Sequence, residues 1–510
     1  MLQMKTWLLL GLTVSLFVLT GCFDKDHDLD KTTTLTKNDN NRIRLAMLLP
    51  PRSGLTPLSD DAFKLSRWST AETLVILNNE GNLTPALATE WHRLTPTAWR
   101  FQLRSEVLFH DGTPFNAEAV VNALRTAATA KPKPRILDGV NLTVEAEGEY
   151  AVIVHTATPD PLLPQRLTSP QLSILSHNAY GDNGVINPIN AGTGAFVLVN
   201  VHGTSSAQLN RFEDYWGEPA KAAGIDVSFV PDGLARASAL RTRSVDIVEA
   251  IPVSQAPLLD PNLVHEVPMP RTNTLYLNTR HGVMADPTMR AAVRDAIDRE
   301  QIVNTVYEKR ADIAQGLLGP AIPWAAKLRQ PIEHPISARH PNGATITLAT
   351  FTDRTELPEV AVYLAQQLTQ AGFKVKQVVR EYSQIEADAL AGKFDAFILS
   401  RATVLDSGDP VAYMYSDFSC KGSFNIAQLC QSDIDNALEK ASELPAGLER
   451  QQAIIDAEAL ILASDAAIPM LHERVIQGES AYVHHADRDP RERTLISNQT
   501  YLSTIIETSQ

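Results

Sequence analysis

The chain has 510 residues, 44% of them hydrophobic and 20% charged. That is more than one apolar core usually supports, so two or three lobes are expected. A formal charge of -14 at pH 7 argues against nucleic acid as a partner, because phosphate binding needs clustered Lys and Arg. Small cationic, zwitterionic or neutral ligands stay open.

The apolar run Trp7 to Leu19 follows Lys5, is short for a membrane span, and ends in Leu-Thr-Gly-Cys at Cys22. It resembles a bacterial lipobox. The resemblance implies that residues 1–22 are a signal peptide and that Cys22 is lipidated and anchors the protein to a membrane. The polar residues 23–42 read as a flexible tether. Cys420 and Cys430 then remain, ten positions apart. In an oxidising compartment such a pair closes a small disulfide loop.

Beyond the tether, the apolar stretch from Arg42 to the Pro50-Pro51 pair predicts a strand. Trp99, Phe101 and Leu103 alternate with Arg100, Gln102 and Arg104, the period of a half-buried strand. Asn116 then caps a predicted helix whose face carries Ala119, Val120, Ala123 and Leu124, with Glu118 in its first turn. Between them His110-Asp111-Gly112 reads as a turn, since Gly112 and Pro114 suit one and no partner nucleophile or base is visible. Further on, Thr272 to Thr279 predicts a strand and Asp286 to Tyr307 one helix. A βαβ unit covers 344–379, Phe394 to Ser400 is a short apolar strand, and two helices follow between 431 and 466. This alternation predicts a mixed α/β fold. No phosphate-binding loop, G-x-S-x-G elbow or H-E-x-x-H motif occurs, and neither an enzyme nor a cofactor nor a protein-held metal is expected.

The blocks at 81–91, 99–124, 192–196, 215–220, 273–279, 293–303 and 406–410 resemble, in the same order, the family 5 extracellular solute-binding proteins. These are the peptide and nickel receptors of bacterial ABC importers. Ala195 and Phe212 stand where members commonly carry Pro and Asn. The resemblance implies a two-lobed periplasmic-binding-protein-like fold (type II, cluster C) with an additional subdomain in the first lobe. It implies lobe 1 over 43–275 with a returning segment 479–510, and lobe 2 over 276–478. It also implies permease and ATPase subunits as partners of a monomeric binder.

A zwitterionic peptide in a dry cleft needs both termini paired. Asp406 is the candidate for the ammonium, as peptide-binding members carry an acid there. Arg354 and Arg401, just after predicted strands, are candidates for the carboxylate, with Arg135 a third. Trp68, Tyr413 and Tyr415 are candidate walls. The alternative ligand is nickel or another metal carried as a small anionic chelate.

Overall fold

The computed structural model describes residues 41–78, 82–181, 184–404 and 408–503. Cys22 and Asp406 lie outside the described residues. An eleven-stranded mixed sheet organises the chain. At one end the parallel pair Thr345–Phe351 and Lys374–Arg380 is joined through the helix Glu356–Gln370, the expected βαβ unit. Gly372, at φ +103°, turns the chain out of that helix. The strand Ala396–Ala402 follows, then two long antiparallel strands, Val264–Leu277 and Ala467–Glu479. Beyond these lie Arg42–Met47 and its parallel neighbour Gly224–Phe229. A separate antiparallel sheet pairs Ala88–Thr95, Ala98–Leu103, Ala151–Thr156 and Leu142–Ala146.

Three apolar cores follow from these layers. One holds Phe397, Leu364, Met414 and Leu438 around the βαβ end of the large sheet. A second holds Ile43, Leu45, Trp68 and Phe196, and the C-terminal residues Val483, Leu495 and Ile496 belong to it. The third packs Phe101 and Val152 of the small sheet against Val120 and Leu124 of the helix Ala117–Thr129. Asn116 caps that helix, its side chain accepting from the Ala119 amide at 3.1 Å.

Two local expectations change. The single helix over 286–307 is two, Pro287–Ala296 and Arg299–Thr305. Ile297 is extended at ψ 115°, its side chain buried, and Asp298 caps anew by accepting from Gln301. The long strand Ala467–Glu479 was not anticipated; it is almost wholly buried and so has no alternation to read.

The His110-Asp111 corner is scaffold. His110 Nε2 lies 2.8 Å from the Gly194 carbonyl, and the ring meets Phe212 edge-on at 4.8 Å. The Asp111 carboxylate accepts from the Thr113 amide at 3.0 Å, the Thr113 hydroxyl at 2.6 Å and Asn178 at 2.9 Å. Among the described residues no helix is long and apolar enough to cross a membrane.

Candidate functional site

The carboxyl ends of Arg42–Met47, Thr345–Phe351 and Ala396–Ala402 converge on a cavity of about 210 Å³. Open α/β sheets place ligands at such strand ends, because loops and helix starts gather there. Leu48 and Leu49 continue the first strand, Asp353 and Arg354 follow the second, and Ser400 and Arg401 end the third. The short helix Ala62–Arg67 contributes Lys64 and Arg67, and Glu492 arrives from the C-terminal segment.

Twelve of the 22 residues that line the cavity are charged. Six arginines and Lys64 face five carboxylates: Asp60, Asp61, Glu249, Asp353 and Glu492. Two more carboxylates stand directly behind, Asp417 under Arg401 and Glu473 under Arg354. Seven cations are therefore set against five carboxylates in the lining and two directly behind it.

Arg401 is held with a fixed orientation. Its Nε and Nη2 donate to the two Asp417 oxygens at 2.8 and 2.7 Å, while Tyr276 OH donates to the same carboxylate at 3.3 Å. The guanidinium lies 4.6 Å from the Phe424 ring centre and 5.6 Å from that of Tyr413. Burial works against its charge, but Asp417 outweighs burial and keeps the proton firmly in place. Arg354 is 3.5 Å from Glu473, which also accepts from Ser400 at 2.8 Å and Tyr307 at 3.3 Å. Arg135 pairs with Asp60 at 3.2 Å.

The other end of the lining is an ion cluster. Arg67 pairs with Glu249 and, at 3.1 Å, with Glu492. Burial would raise the Glu492 carboxyl, yet Arg271, Arg67 and Arg354 hold it at about 2. Asp61 accepts from the amides of Arg52 and Ser53 at 2.9 and 2.6 Å and from Lys64 at 2.9 Å, which bends the chain after Pro51 into the cavity. Arg52 lies 5.0 Å from the centre of the Tyr382 ring.

Arg354, Arg401 and Arg135 are thus brought together on one cavity. The aromatic candidates are not. Trp68 is fully buried in the second core, donating from Nε1 to the Met47 sulfur at 3.1 Å, so it is no wall. Tyr413 lies behind Arg401, buried in the first core. Tyr415 lines a different cavity. Trp68 and Tyr413 serve packing, the commoner use. Asp406 stays outside the described residues.

Reading by residue type missed Arg52, Arg67, Arg271 and Glu492. Arg67 and Arg271 lie outside the blocks that carry the resemblance, and nothing local distinguishes a buried arginine from a solvated one. Among the described residues no group of three or more His, Cys, Asp or Glu side chains is placed to hold a metal. Cys420 and Cys430 are disulfide-bonded, their Cα atoms 4.4 Å apart.

The glutathione-binding protein GsiB of Shigella flexneri is 25% identical over 403 residues, 74% of this chain and 78% of that protein. The crystal structure of NikA from Staphylococcus aureus in complex with Ni(L-His)2 superposes with a TM-score of 0.80 at 20% identity, covering 91% of this chain and all of that one. A dipeptide-binding protein from Pseudoalteromonas sp. SM9913 in complex with Met-Leu gives 0.80 at 18% identity, over 90% of this chain and 100% of that one. The architecture is therefore that of the two-lobed periplasmic binding proteins. Residues 82–425 match the model of the bacterial extracellular solute-binding proteins, family 5 Middle, and the chain belongs to that family of solute binders.

Proposed function

We propose that this protein is the substrate-binding component of an ABC importer and captures a short peptide or peptide-like solute in the cavity between its lobes. The observation that carries the reading is the mixed charge of the cavity: seven cations against five lining carboxylates and two behind them suit a zwitterion, whose two ends need partners of both signs. Arg401 spends Nε and Nη2 on Asp417, and its remaining N–H groups are those a ligand carboxylate would meet. Asp406 is assigned the ligand ammonium. Glutathione and Met-Leu, the ligands named for two similar proteins, are compounds of this class.

The lobes are assigned to 43–275 with 479–510, and to 276–478. Val483, Leu495 and Ile496 support the returning segment by sharing a core with Ile43. Lipidated Cys22 would tether a monomer to the periplasmic face of a membrane, beside the permease and ATPase subunits. Loss of membrane partition and of acyl mass in Cys22→Ser is the test of that anchor.

A second reading has one observation behind it. Among the described residues no His or Cys lines the cavity, so nickel would enter as substrate only with its own chelator, its carboxylates meeting the arginines. Calorimetric titration with di- and tripeptides, and with nickel with and without histidine, separates the two. Peptide heat with none from the chelate supports the first reading; the reverse overturns it.

A further inference from the structure

A second cavity, of about 400 Å³, lies beside the first and is lined by Asp138, Gly139, Tyr415 and Lys421 among others. The chain passes from one cavity to the other twice within a few residues. Arg135 lines the first cavity and Asp138 the second; Phe424 lines the first and Lys421 the second. Between them the two segments touch. The Ser423 hydroxyl donates to the Asp138 carboxylate. The Tyr415 ring lies against Gly139, so closely that a Cβ there would be 3.2 Å from Cε1. Gly139 also has φ +72°, in the left-handed region, so both its backbone and its neighbour require glycine. The Cys420–Cys430 disulfide closes the loop that carries Ser423 and Phe424.

We propose that this contact, Asp138-Gly139 against Tyr415 and Ser423, is a partition that ends the ligand cavity and sets the longest ligand it accepts. The inference rests on the peptide reading and adds a length limit to it. Two segments distant in sequence meet there, and the rigid Tyr415 ring fills the space that a side chain at 139 would occupy. Tyr415 acts by position, walling off the neighbouring space.

Titrating the purified protein with alanine peptides of two to five residues tests it. The wild type should bind the shortest peptides and lose about tenfold or more in affinity by five residues. Tyr415→Ala should raise the pentapeptide-to-dipeptide affinity ratio by about tenfold, and Tyr415→Phe, which keeps the ring, should restore the wild-type ratio. Ser423→Ala, a change too small to threaten folding, should shift the ratio in the same direction and by less. An unmoved ratio in folded Tyr415→Ala and Ser423→Ala, or a wild type that takes five residues as readily as two, overturns the partition alone. Failure of the wild type to bind any of these peptides overturns the peptide reading and the length limit together.

Discussion

Glu492 Oε2 accepts from both Nε and Nη2 of Arg271, at 2.8 and 2.5 Å, although 221 positions separate the two residues. The same carboxylate meets Arg67 at 3.1 Å. One anion therefore meets two guanidiniums at one end of the charged cavity. Removing it would leave Arg271 without its paired carboxylate and Arg67 with Glu249 alone.

Glu492→Gln keeps the shape and loses the charge. We expect a stability loss on the order of 3 kcal/mol, because a buried pair broken on one side leaves the partner uncompensated. Urea unfolding measures it. A loss below about 1 kcal/mol would show that Glu249 and solvent, and not Glu492, balance these arginines.

Stability should fall in acid in two stages. Burial lowers both His110 and His472 to about 4 from an ordinary 6.5. Above about 6.5 both rings are neutral whether folded or not, and their contribution is complete. Between 6.5 and 4 the unfolded chain takes up protons that the folded chain refuses, so stability drops as pH falls, by roughly 3 kcal/mol per histidine at the limit. Glu492 acts later: held at about 2 against an ordinary 4.5, its contribution is present above 4.5 and is lost as pH falls toward 2. Urea midpoints at pH 7, 5 and 4 should decline, and less steeply in His110→Gln. A flat profile over that range would contradict the histidine assignment.

Arg401→Lys retains a positive charge but not the planar fork on Asp417 or the stack on Phe424. Ligand affinity should drop about 30-fold, near 2 kcal/mol, read by calorimetry with a dipeptide. Unchanged affinity would remove Arg401 from the binding set.

At the scaffold corner, Asp111→Ala removes three hydrogen bonds around one turn. It should cost about 1 to 2 kcal/mol of stability and leave dipeptide affinity within about twofold. A large affinity change with intact stability would reassign the corner to ligand binding.

Local grammar was legible where one chain segment decides its own structure. The alternation at Trp99 to Leu103 and the cap at Asn116 are stated by neighbours within a few positions, and the fold agrees with both. Ala467–Glu479 hides because burial on both faces erases alternation, and the break at Ile297 hides because Asp298 fits a helix interior or a cap equally well on paper. The arginines after strands were found because strand ends point at ligands. Glu492 was not, since its importance comes from Arg67 and Arg271, hundreds of positions away. Aromatic identity misled for Trp68, where volume mattered and chemistry did not.

Ile43 and Leu45 share a core with Leu495 and Ile496, and the hydroxyls of Ser66 and Ser69 donate to the carbonyls of Arg493 and Ile496 at 2.7 and 2.8 Å. A ribosome makes the first of these partners long before the second. The early half of the chain thus leaves synthesis with an unfinished core, and its long-range contacts form slowly by their nature.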